Sequence, residues 1–143
     1  MAPLVFINGA DTKSAQMFTL AHELVHIWLG DSGLTDTQAC TETKVEVERW
    51  CNQVAAELLV PLDVFKKDYR KNADLENELS RLARRFKVST LVILRRMHDA
   101  GGLNQKRFWE EYEKEVTRLR ELSKGSGGNF YWDPETDTIR QTA

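Results

Sequence analysis

The feature that most restricts this chain is the pentapeptide His22-Glu23-Leu24-Val25-His26, set inside the run from Ala15 to Gly30. Histidines four apart lie about one helical turn from each other on the same face, so their imidazoles can converge on one ion. Glu23 is turned out of line with both rings, yet it stays near enough to reach a water held by that ion. This is the H-E-x-x-H pattern, in which the histidines bind zinc and the glutamate acts as general base. Around it, Met17, Phe18, Leu20, Ala21, Leu24, Val25, Ile27, Trp28 and Leu29 place apolar groups all round the cylinder, which predicts a helix buried on most sides. Burying a neutral polar group without a partner costs roughly 2–7 kcal/mol, and an ion costs more, whereas a metal supplies the partner. Asp11 to Ser14 offer N-caps and Gly30 a C-terminal stop, so the helix should run from about Ala15 to Leu29.

A catalytic zinc usually has three protein ligands and one water, so a further donor must come from elsewhere in the chain. The next helical pattern, from about Val45 to Val60 with Pro61 as its stop, carries Glu46, Glu48 and Glu57. At about 100° per residue, Glu48, Asn52, Ala55 and Leu59 share one stripe, with Cys51 and Ala56 at its edges, while Glu46 and Glu57 point to the far side. A stripe of small apolar residues suits close packing against another helix, which makes Glu48 the expected metal ligand. Cys51 lies near the same face and is read as a small buried apolar residue. Asn52, one turn beyond Glu48, could orient that carboxylate or hydrogen-bond the free nitrogen of a ligand histidine.

With 143 residues the chain fits one domain with room for a small appendage. Its 20 basic and 22 acidic residues give no global electrostatic case for nucleic acid or an anionic membrane, and no apolar run reaches membrane-spanning length. No signal peptide precedes the first apolar run, and the two cysteines, Cys40 and Cys51, read as reduced thiols rather than a disulfide framework. Those features predict a cytoplasmic protein. Leu4-Val5-Phe6-Ile7, closed by Asn8-Gly9, reads as a strand, one that could either cover the core or offer an edge to an extended peptide. Asp31 to Thr43 has no period and reads as a loop.

Three stretches together carry a family resemblance: Phe6-Ile7-Asn8-Gly9-Ala10-Asp11; Ala15-Gln16-Met17-Phe18-Thr19-Leu20-Ala21 running into the pentapeptide; and Glu48-Arg49-Trp50-Cys51-Asn52-Gln53-Val54-Ala55-Ala56-Glu57-Leu58-Leu59-Val60-Pro61. They resemble the ImmA/IrrE family of metallopeptidases. The resemblance implies a zincin-like, gluzincin-like core whose third zinc ligand is a glutamate on the second helix. It also implies a substrate class, since members act in bacteria and their mobile elements, typically by cleaving or inactivating helix-turn-helix repressors. Family members usually carry further chain before the first strand, often a DNA-binding domain, and the abrupt start at Met1-Ala2-Pro3 suggests a short or trimmed form.

Beyond Pro61, Leu62 to Tyr69 reads as a short helix with Phe65 inward, and Arg70 to Asp74 as a polar break. Leu75 to Phe86 and Thr90 to Ala100 follow as helices, joined by Lys87-Val88-Ser89 with Ser89 as N-cap and stopped by Gly101-Gly102. Helix, short turn, helix resembles a helix-turn-helix unit, made locally basic by Arg81, Arg84, Arg85, Lys87, Arg95 and Arg96. A DNA-binding regulator is therefore a rival reading. Against it, Leu91, Val92, Ile93, Leu94 and Met97 leave few outward positions on the second helix to read bases. The resemblance implies instead that this unit follows the catalytic part and serves to pack beside the cleft or to dock the repressor. Lys106 to Leu122 is amphipathic, with Trp109, Tyr112, Val116 and Leu119 inward and a Glu110–Lys114 pair outward. After the glycine- and serine-rich break from Ser123 to Gly128, Asn129 to Trp132 reads as a short strand whose aromatic residues pack back on the domain.

These readings add up to a predominantly helical α+β chain. Residues 1–70 form the zincin-like core with a small N-terminal β element, 71–122 a helical, helix-turn-helix-like subdomain packed on it, and 123–143 a tail. The expected activity is Zn2+-dependent hydrolysis of a peptide bond, with His22, His26 and Glu48 on the metal and Glu23 as the base. Tyr69, His98, Tyr112 and Tyr131 are unranked candidates for oxyanion donors. A zinc-stabilised protein that binds a repressor without cutting it would use the same residues.

Overall fold

The computed structural model describes residues 2–30, 41–123, 130–133 and 138–141, with side chains described for 2–30 and 44–122. Helix α1 spans Lys13–Leu29. Thr12 caps its start, accepting a hydrogen bond from the Ala15 N–H at 3.3 Å. Gly30 ends it at φ 71°, a left-handed conformation in which its N–H reaches back to the carbonyls of His26 and Ile27. Helix α2 spans Thr41–Leu59, so the loop expected up to Thr43 gives way to helix at Thr41, while residues 31–40 lie outside the described residues. Apolar periodicity cannot report a polar first turn, which is why Thr41-Glu42-Thr43 escaped it.

Helix α3, Leu62–Asp68, starts directly after Pro61 and puts Phe65 fully inside. Helix α4, Leu75–Phe86, is capped by Asp74, whose Oδ2 accepts from the Asn77 N–H at 3.1 Å. Lys87, at φ 58°, turns the chain into α5, Thr90–Asp99, whose N-cap is Ser89. Helix α6 spans Gln105–Ser123, with Asn104 Oδ1 accepting from the Arg107 N–H at 2.8 Å. Strands β1, Phe130–Asp133, and β2, Thr138–Gln141, form an antiparallel pair in the register Phe130 to Gln141 and Asp133 to Thr138, and β2 runs beside α2. The side chains of the expected aromatic trio lie outside the described residues.

The strand expected at Leu4 to Ile7 is not formed. Those residues are irregular, with Leu4 94 % and Phe6 84 % exposed, and they pair with no strand among the described residues. The only β pairing among them is the hairpin β1–β2.

Two apolar clusters organise the helices. The larger runs from Val60 and Phe65 through Leu79, Leu82, Leu91, Ile93, Leu94 and Met97 to Phe108 and Tyr112, drawing on α3 to α6. The smaller is Phe18 and Ala21 of α1 against Ala55 and Ala56 of α2, and Leu59 and Val92 pack on both clusters. Helix α1 is less enclosed than its composition suggests. Phe18, Ala21 and Val25 are buried, while Met17, Leu20, Ile27, Trp28 and Leu29 are exposed. A helix that is apolar all round has partners only where neighbouring elements supply them, and among the described residues α2 covers one face.

Buried charges brace the larger cluster. Glu78 accepts from Arg81 Nε at 2.8 Å and from the Arg70 N–H at 2.9 Å, tying the end of α3 to α4. Glu115 is buried and accepts from Thr90 and Arg118. Lys114 pairs with Glu111 at 2.9 Å rather than with Glu110. Glu57 does point away from α1, and there it meets buried Arg96 of α5 at 2.9 Å. Four members of the basic cluster on α4 and α5 are paired with acids of the same chain: Arg81 with Glu78, Arg85 with Asp68, Arg95 with Asp99, and Arg96 with Glu57 and Asp99. Among the described residues, no helix is long and apolar enough to cross a membrane.

Candidate metal centre

Helices α1 and α2 meet through alanines, so their axes come close and side chains one turn further along face each other. His22 and His26 project from α1 as the four-residue spacing dictates, and Glu48 projects from α2 between them. His22 Nε2 lies 3.2 Å from Glu48 Oε2, and His26 Nε2 lies 3.2 Å from Glu48 Oε1. The two Nε2 atoms are 3.0 Å apart, with ring centroids 4.6 Å apart and ring planes at 67°. Each histidine side chain is 15 % exposed and Glu48 35 %, so the cluster opens to solvent on one side.

The donor set suits a divalent metal. Ligands about 2.0–2.1 Å from a tetrahedral ion stand roughly 3.3 Å from one another, close to the 3.0–3.2 Å edges of this triangle. Two imidazole nitrogens and a carboxylate cannot all present lone pairs to one another at this range without a proton or a cation among them. The Glu48 carboxyl is held below the ordinary carboxylate range, first by its hydrogen bond with His22, against the opposing effect of burial, and further by the charges of His22 and His26. It is thus poised as an anion, the form that ligates metal.

The other residues singled out from sequence fall as follows. Glu23 sits half-buried beside His22 and forms no hydrogen bond or ion pair with the described residues. Asn52 is 1 % exposed, one turn beyond Glu48, and neither polar atom of its amide is hydrogen-bonded. Cys51 is a fully buried thiol outside the cluster of ligating atoms, and Glu46 is exposed. Tyr69 packs on Phe65 and over Gly102, where a Cβ would collide with its ring and hydroxyl. Tyr112 and His98 pack on Phe108. All three therefore belong to the α3–α6 core rather than to the histidine cluster, and the side chain of Tyr131 lies outside the described residues. Ala21, which the sequence places among the apolar residues of α1 without a role in the site, is the small side chain that packs against Ala55 and Ala56 of α2; its signal was its place one turn before Val25.

Comparison with known proteins decides the family. Residues 2–98 match the peptidase M78 family, described as the IrrE N-terminal-like domain. The chain belongs to the ImmA/IrrE family of metallopeptidases. It is 34 % identical over 91 residues to the radiation response metalloprotease IrrE of Deinococcus radiodurans, covering 60 % of this chain and 28 % of the relative. To the protein of the same name from Deinococcus deserti it is 33 % identical over 96 residues, covering 64 % of this chain and 34 % of the relative. The match thus spans about a third of the length of these relatives. No solved structure matches the chain. The matched region contains both helices that build the cluster.

Proposed function

We propose that this ImmA/IrrE family member is a zinc-dependent endopeptidase, with His22, His26 and Glu48 holding the metal and Glu23 acting as general base. The observation that carries the reading is the convergence of two imidazoles from α1 and one carboxylate from α2 on a point open to solvent. When bound, zinc would supply Lewis acidity, lowering the pKa of water toward about 7 and polarising the scissile carbonyl. The protein's own residues do the rest. Glu48, already anionic, offsets the charge of the site and keeps both rings turned inward. Glu23, beside His22 and without a competing partner, takes a proton from the attacking water and returns it to the leaving amine.

In the same reading, residues 1–70 are a zincin-like catalytic part, 71–122 a helical part that docks the substrate, and 123–143 a tail. The substrate is a protein, and family membership favours a helix-turn-helix repressor. A cytoplasmic setting accords with the buried thiol of Cys51. Direct DNA reading by α5 is disfavoured, because Arg95 and Arg96 are engaged with Asp99 and Glu57.

The test is co-expression of the chain with a panel of helix-turn-helix repressors in a bacterial host. The wild type should yield a discrete cleavage product, and Glu23→Gln should lose it while keeping its zinc and its fold. If Glu23→Gln inactivates a repressor as well as the wild type does, with no product in either case, the protein sequesters and the hydrolase reading is wrong.

A further inference from the structure

Three polar atoms on the facing helices α1 and α2 are sealed from water with nothing to bond to: Asn52 Oδ1, Asn52 Nδ2 and His22 Nδ1. Leaving buried donors or acceptors unpaired costs about 1–3 kcal/mol each, so such atoms call for an explanation. Of the two histidines in the cluster, only His22 has its Nδ1 buried in this way.

The order of contacts places these atoms at one level. Glu48 meets His22 and His26, while Ala55 and Ala56, two turns further along α2, meet Phe18 and Ala21, which precede His22 on α1. The helices are therefore antiparallel, and Asn52, between Glu48 and Ala56, stands level with the segment between Phe18 and His22. Helical side chains lean toward their own N-terminus, so His22 leans toward the level of Asn52, and Asn52 leans toward His22. Glu48 needs no further orienting group, since one oxygen already faces His22 and the other His26.

We propose that Asn52 is a positioning residue whose amide, unpaired among the described residues, turns when the metal binds so that its Oδ1 accepts the Nδ1–H of His22, fixing the tautomer that presents the Nε2 lone pair to the metal. This rests on the metal reading above. Imidazole ligands commonly donate their second nitrogen to a fixed acceptor, and loss of that acceptor typically costs roughly 10–100-fold in metal affinity. An amide suits the role because it accepts the proton without adding a second negative charge beside Glu48.

The test uses the full chain with Zn2+ alone, titrated against a competing chelator, and nitrogen-15 NMR of the imidazoles to read the His22 tautomer. Wild type should bind one zinc and show His22 protonated at Nδ1. Asn52→Leu should lower zinc affinity roughly 10–100-fold and scramble the tautomer while raising the melting temperature of the metal-free chain, because an unpaired amide has been replaced by an apolar group. Asn52→Asp should restore both affinity and tautomer. Unchanged zinc affinity and an unchanged tautomer in Asn52→Leu would overturn the proposal and leave the metal reading standing. Failure of the wild type to bind zinc would overturn the metal reading itself, and this role with it.

Discussion

The two halves of this molecule are built on opposite principles. The α3–α6 region fills its core with Phe65, Leu82, Ile93, Leu94, Met97 and Phe108, all nearly inaccessible, and locks its helices with buried Glu78 and Glu115. The α1–α2 pair meets through Phe18 and three alanines, and leaves Trp28 68 % and Trp50 47 % exposed. Large interlocking side chains stabilise a fold but hold helix axes apart. Alanines contribute little burial, yet they let His22, His26 and Glu48 come within 3.2 Å of one another. One half supplies stability and the other supplies proximity.

The largest expected effect lies in the stabilising half. Phe108→Ala should cost about 3–5 kcal/mol in denaturant unfolding while leaving zinc binding by the folded fraction unchanged. A cost below 1 kcal/mol would mean that the α3–α6 core is not the one that holds the chain together. Next is Ala55→Leu in the other half, which should cost about 1–3 kcal/mol by overpacking. Because it pushes α2 off α1, it should also weaken zinc binding, and full retention of the metal in this variant would break the division between the halves.

Smaller still is a pH effect at Glu78 in the stabilising half. The Glu78 carboxyl is held below its ordinary value of 4.5, first by its hydrogen bond from Arg81, against the opposing effect of burial, and further by the Arg70 N–H and the nearby arginine charges. A depressed folded value means that its contribution is complete above the unfolded value and is lost as pH falls through the folded one. Stability should therefore drop on the acid side of 4.5. Glu78→Gln should flatten that drop and cost about 1 kcal/mol at neutral pH. An identical acid limb in that variant would place the titrating carboxylates elsewhere.

The same contrast explains what the sequence could and could not disclose. Helical period is local, so it grouped Glu48 with Asn52, Ala55 and Leu59 and put His22 and His26 on one face, and the structure has those side chains on the α1–α2 interface. The caps at Ser89 and Gly30 were legible for the same reason. Period says which residues share a face, but not whether that face finds a partner. Hence the outer face of α1, with Met17, Leu20 and Trp28, read as buried and is exposed. Strand pairing is non-local as well, which is why Leu4 to Ile7 looked like a strand and found no ladder. Glu57–Arg96 and Thr90–Glu115 join residues far apart in sequence, and no spacing rule could have announced them.

The account turns on a cation held between α1 and α2, and X-ray absorption at the zinc edge of the loaded, full chain tests this most directly. It predicts two imidazole nitrogens and carboxylate oxygen at about 2.0–2.2 Å, with the zinc content falling sharply in Glu48→Ala. A sulfur neighbour at about 2.3 Å would hand the third position to a cysteine. That result, or zinc bound as well by Glu48→Ala as by the wild type, would contradict the account.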